Sequence, residues 1–208
     1  MDLLIWATLG LVLTHFLNAA EQRRRVMLLG RHLSRYRIEQ LMERLTNGYQ
    51  RALAESEPER RDAIWLNLHA VEEDLHQQFS RFALDFAKVD EPHARVSRLP
   101  FAIPFATVLF GQSCFDLRKL LAIHAHGFGR VVDAPAHHAL PLPPRDRAYT
   151  MLAEMLLMQH SCHWFCKSKV VASARLLARH QTSHDQVLRS VTAETRQAYC
   201  ALTGHPPG

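Results

Sequence analysis

The sequence predicts an all-α chain: one N-terminal transmembrane helix that continues into a cytoplasmic helical hairpin and then a helical bundle. Three observations predict it. Gly (8) and Pro (10) are scarce and clustered among 208 residues, which favours long helices over turn-rich sheets. Nothing alternates with period two for long enough to argue a strand. Apolar residues instead recur at intervals of three and four, most clearly in Ile64, Leu68, Val71, Leu75, Phe79, Phe82 and Phe86. Hydrophobic residues make up 48% and charged residues 22%, which excludes a largely disordered or collagen-like chain. The expected units are an anchor over residues 1–20, a juxtamembrane helix and antiparallel hairpin over 21–90, and a C-terminal bundle over 91–208.

The anchor is Leu3 to Ala20, a stretch of 18 residues without formal charge. As a helix it would be about 27 Å long, close to the thickness of a bilayer core. A cleaved signal peptide needs a positive start and a small-residue cleavage site, whereas this stretch begins with Asp2. A core helix is a second alternative, since Thr14, His15 and Asn18 dilute the apolar character. The flanks favour a span. Residues 21–37 hold six Arg against one Glu, while the rest of the chain is nearly balanced. Lys and Arg stay on the cytoplasmic side, so the short N-terminus should face out and residues 21–208 should lie at the cytoplasmic face of the inner membrane. Trp6 would sit at one interface, and Arg23, Arg24 and Arg25 would contact anionic lipid headgroups. Because the basic excess is confined to this flank, nucleic acid is not expected as a partner. Cys114, Cys162, Cys166 and Cys200 are too dispersed for a disulfide framework, which suits the cytoplasmic side. The Arg-rich, Lys-poor composition suits a bacterial protein from a GC-rich genome.

Beyond the anchor, helical spacing runs from Val26 to Ala54 through Leu29, Leu33, Tyr36, Leu41, Leu45 and Leu53. Ser56-Glu57-Pro58-Glu59 reads as a capping box with Pro in the first turn, opening a helix from about Pro58 to Val89. Its apolar seam has coiled-coil spacing, with Glu72, Glu73, Asp74, Gln77 and Gln78 outside it and His69 and His76 at its flanks. The short connection implies an antiparallel pair, so Leu68, Leu75, Phe79 and Phe82 form the helical interface against residues such as Leu33, Leu41 and Leu45. A Pro-punctuated stretch, Glu91 to Pro104, follows. Phe101 to Phe110 is apolar but too short to span; it is either a buried helix start or a surface against the membrane. The helix through Leu117, Leu120, Leu121 and Ile123 should stop at Gly127. Ala134 to Pro144 reads as a loop, Arg145 to His180 as one long helix, and Thr182 or Ser183 as the cap of a last helix to about Leu202.

The residues with the greatest chemical potential are His160-Ser-Cys162-His163-Trp-Phe-Cys166. Cys162, His163 and Cys166 would share a helix face and could ligate zinc or haem. A Cys162–Cys166 disulfide is not expected, since helix neighbours four apart hold their Cβ atoms too far apart. The same face carries Leu152, Met155, Leu156, Val170 and Leu177, so core packing is the favoured reading and no cofactor is expected. The spacing matches no zinc finger or ribbon, and C-x-x-C-H is absent. His124 and His126 would end a helix, where an imidazolium favours the carbonyl end of the dipole, and His137 and His138 lie in the following loop. No P-loop, G-x-S-x-G or H-E-x-x-H occurs, and no enzyme class gains support. The expected role is a membrane-tethered scaffold or accessory subunit, with lipid and a protein partner or a second copy of the chain as its contacts. The alternative is a membrane-bound metal- or haem-binding protein using Cys162, His163, Cys166 and His124 or His126.

Overall fold

A 32-residue helix, α1 (Asp2–Leu33), opens the computed structural model, which describes residues 2–137 and 143–206. Its first half stands clear of the rest, and the helix over Leu4–Leu33 is long and apolar enough to cross a membrane, with mean hydropathy 1.3 over an 18-residue window of which none is buried. Its second half docks, with Leu29 buried and Leu28 and Leu33 packed on the core. The helix does not run on to Ala54. The chain turns over residues 34–37, and α2 (Ile38–Ala54) starts afresh. The turn frees α2 to aim Ile38, Leu41, Leu45 and Tyr49 inward, which a continuation along the α1 axis would not allow.

α3 (Pro58–Phe86) begins at the expected proline, but Glu57 is the cap residue and its side chain makes no capping bond. The Ser56 capping box is therefore not formed; the Glu55 carboxylate accepts from the Glu57 N–H instead. α2 and α3 are antiparallel. Tyr49 meets Trp65 near the turn, and Tyr36 meets Phe82 at the far end, with Arg37 bonded to Asp74 between. Gly48 lets the two helices close on each other, since a Cβ there would clash with Leu68 Cδ2. Leu68, Val71, Leu75, Phe79, Phe82 and Phe86 are all buried, as their spacing predicts. They do not form a two-helix seam, however. A third helix covers the other side of α3 and sets Phe128 edge-on to Phe79 with ring centroids 5.0 Å apart. This interface is interior to the chain, and a partner would have to dock elsewhere.

Next come α4 (Glu91–Ala94), β1 (Arg95–Ser97), α5 (Ala106–Leu109) and β2 (Cys114–Asp116). The two strands pair antiparallel, Val96 opposite Phe115. Three-residue strands are too short to show a period, so this sheet left no pattern in the sequence. α6 (Leu117–His137) passes through Gly127 rather than stopping there. The glycines serve close approach: a Cβ at Gly127 would lie 2.5 Å from Glu154 Oε2, and one at Gly129 would lie 2.9 Å from His76 Cε1. Residues 134–137 of the expected loop are thus helix. His138 lies outside the described residues, and so does the side chain of His137.

The single long helix expected to His180 is two, α7 (Pro144–Cys166) and α8 (Lys169–His180). Ser168 breaks it by accepting from the Val171 N–H as an N-cap. The break turns Val170 and Leu177 out to solvent, away from the stripe they were expected to share with Cys162. Ser183 does cap the next helix, α9 (His184–Ser190), in a capping box with Gln186. Thr192 then starts a separate α10 (Ala193–Thr203). One hydrophobic cluster runs from Leu29 to Cys200 across every helix described except α5, so hairpin and bundle share one core.

Candidate functional site

Cys162 and Cys166 sit half-buried at the edge of the core, the Cys162 thiol 3.7 Å from Met158 Sδ. Burial pushes the Cys162 thiol up to about 12 and the Cys166 thiol up to about 11. Thiols so protonated are poor ligands and nucleophiles at neutral pH. His163 is half-buried, and burial pushes its pKa down. His124 and His126 lie within α6 rather than at its end, two residues apart, and face opposite ways. His124 is fully buried, with Nε2 2.9 Å from Ser161 Oγ, while exposed His126 donates to the Ala122 carbonyl. These five side chains do not assemble a site.

Among the described residues, the metal-ligating donors that converge are those of His184, Asp185 and His205. The local sequence explains the convergence. The Ser183 capping box fixes the first turn of α9, which turns His184 inward until its Nε2 lies 3.0 Å from the hydroxyl of buried Tyr199. Gly204 ends α10 in a left-handed turn (φ 73°) that reverses the chain and returns His205 to α9. Arg98 pins that turn by donating to the Leu202 and Thr203 carbonyls, each at 3.0 Å. Asp185 Oδ1 then lies 3.6 Å from His184 Nδ1 and 3.3 Å from His205 Nε2. Those are close to the roughly 3.3 Å edges of a tetrahedron of N and O ligands about 2.0–2.1 Å from zinc. Tyr199 holds the far nitrogen of His184, as an orienting partner of a ligand histidine does. His160 lies behind, its ring centroid 4.3 Å from that of His184. Its Nε2 is 3.0 Å from Ser173 Oγ and its buried Nδ1 is unpartnered.

Burial, reinforced by His205 and Lys169, pushes His184 down to about 4; burial, with His184 and Lys169, pushes His160 down to about 2. Both imidazoles are therefore neutral at neutral pH, the form a metal requires. One feature opposes a cation: the Lys169 ammonium lies 3.3 Å from His205 Nδ1. Little in the sequence announces this cluster. His184-Asp185 is an ordinary pair, and His205 reaches it only because Gly204 turns the chain.

Two buried carboxylates are structural. Glu154 accepts from the backbone N–H and hydroxyl of Thr192, both at 3.0 Å, and so sits at the start of α10, where N–H groups lack helical partners. Burial still raises its pKa against those bonds. Glu72 accepts from Tyr49 at 2.6 Å and faces Arg147 at 3.4 Å, tying α2, α3 and α7 together.

Past the apolar run of α1, Arg23 and Arg24 are exposed, whereas Arg25 turns inward, bonds to Glu21 and the Phe165 carbonyl, and stacks its guanidinium over the Phe165 ring. Beside it a cleft of about 30 Å³ opens between α1, residues 96–106 and the end of α7. That is room for a water, far below the roughly 300 Å³ or more of a small-molecule site. No protein-family model, curated protein or solved structure matches this chain.

Proposed function

We propose that the chain is a membrane-tethered scaffold or accessory subunit, held at the inner membrane with residues 21–208 in the cytoplasm. The observation that carries this reading is the first half of α1, apolar, unburied and projecting from a folded helical domain. Its internal polar groups suit lipid: Thr8 donates to the Leu4 and Ile5 carbonyls and Thr14 to the Gly10 carbonyl, so these hydroxyls are satisfied within the helix. The Arg-rich flank supports the orientation. Native chain should stay in carbonate-washed membranes, and a variant lacking residues 2–17 should be released. A native chain recovered in the supernatant would overturn the tether.

A second reading, metal binding, is favoured by the convergence of His184, Asp185 and His205. It predicts zinc retained by detergent-purified full-length protein after desalting, measured by elemental mass spectrometry, and lost in His205→Ala. Zinc content no higher than in that variant would sink it.

A further inference from the structure

We infer that Phe101–Phe110 is a second, non-spanning membrane contact that seats in the lipid interface beside α1 and fixes which face of the helical domain meets the bilayer. The inference rests on the tether reading and deepens it. Within ten residues that carry no charge, Phe101, Ile103, Phe105, Val108, Leu109 and Phe110 are all exposed, Val108 at 77% and Leu109 at 67%. Single exposed apolar residues are ordinary; six in one short segment mark a contact surface.

Position identifies what covers it. Asn18 of α1 donates to the Ala102 carbonyl, and the Phe105 N–H donates to Glu21. These bonds hold the segment level with the last turn of the apolar run, which ends at Ala20. With the preceding residues in the hydrocarbon core, that level is the headgroup boundary, where apolar faces insert about 5–10 Å. The charge pattern matches: the apolar patch carries none, and exposed Arg23 and Arg24 follow the apolar run within α1, placed for anionic headgroups. The backbone adds an independent sign. Phe105 adopts φ 58°, a left-handed conformation that a bulky residue enters only under constraint, and it holds an aromatic ring out at 54% exposure. Folding on its own account would favour the opposite, a relaxed backbone with the ring buried.

The test uses the full chain in vesicles of mixed phosphatidylcholine and phosphatidylglycerol. A benzoylphenylalanine photo-crosslinker is placed at Leu11, Val108 or Leu66 in turn, and adducts are read by mass spectrometry. Lipid adducts are expected at Leu11 and Val108 and not at Leu66, which is equally exposed but lies on the hairpin near its turn. Lipid at Leu11 without lipid at Val108, or a cross-link from Val108 to a second copy of the chain, would overturn the interfacial contact and leave the tether standing. Absence of lipid at Leu11 would overturn the tether and this inference with it.

Discussion

Leu75→Asp is expected to unfold the helical domain. Leu75 lies in the middle of α3 with no exposed surface, in a helix that packs against both α2 and α6. The substitution removes a buried side chain worth about 1.5–3 kcal/mol. It also leaves a carboxylate without a partner in apolar surroundings, at a further cost of several kcal/mol. The sum rivals the roughly 5–15 kcal/mol that holds a typical domain folded. Circular dichroism of the detergent-solubilised full chain should show most helical signal lost outside α1. Leu75→Ala should keep the fold and melt earlier, with a cost of about 2–5 kcal/mol from the cavity. Leu66→Asp, on the exposed face of the same helix, should melt like the native chain. If Leu75→Asp did too, the three-helix core would be wrong.

The seam that makes Leu75 so sensitive was legible in the sequence because it has a period. A helix buried along one stripe must repeat its apolar residues at three and four, and α3 does so for seven of them. What a periodic pattern does not contain is where a helix stops. The break at Lys167–Ser168 has neither Gly nor Pro, and Ser168 acts as a cap only because the chain needs to turn there. Gly127 has the opposite history: in sequence it resembles a terminator, yet it lies mid-helix because Glu154 and Thr195 leave no space for a Cβ. Charge misleads for the same reason. Glu72 lies outside the apolar seam and reads as hydrated, but α7 brings Arg147 over it. The five candidate metal ligands are neighbours along the chain in two groups, His124 with His126 and Cys162 with His163 and Cys166. The three that converge instead come from two helix ends that only the fold brings together.

Those buried histidines make acid the second strong lever on stability. His124 is pushed down to about 3, His160 to about 2 and His184 to about 4, in each case first by burial, from an ordinary value of 6.5. Since the folded values lie below the unfolded ones, the unfolded chain takes up protons first as pH falls. Stability is therefore undiminished above about pH 6.5 and is lost progressively below it. Each histidine contributes up to about 1.4 kcal/mol per pH unit, and three together about 4 kcal/mol. A drop of about one and a half units would then cost roughly 6 kcal/mol, comparable to a whole domain's stability. The groups facing the rings do not reverse the sign. His124 meets Ser161; His160 meets Ser173 and His184; His184 meets Tyr199, His205, Lys169 and Asp185, and only Asp185 favours the protonated ring. Glu154 works in the opposite sense, because burial raises its folded value and it gains a proton early, which offsets part of the loss. Urea midpoints measured from about pH 7.5 down to about 4.5 should fall steeply below 6.5. His160→Gln should shallow the slope by about a third, since one of the three titrating groups is gone. A midpoint unchanged across that range would mean that water reaches these rings in the folded chain.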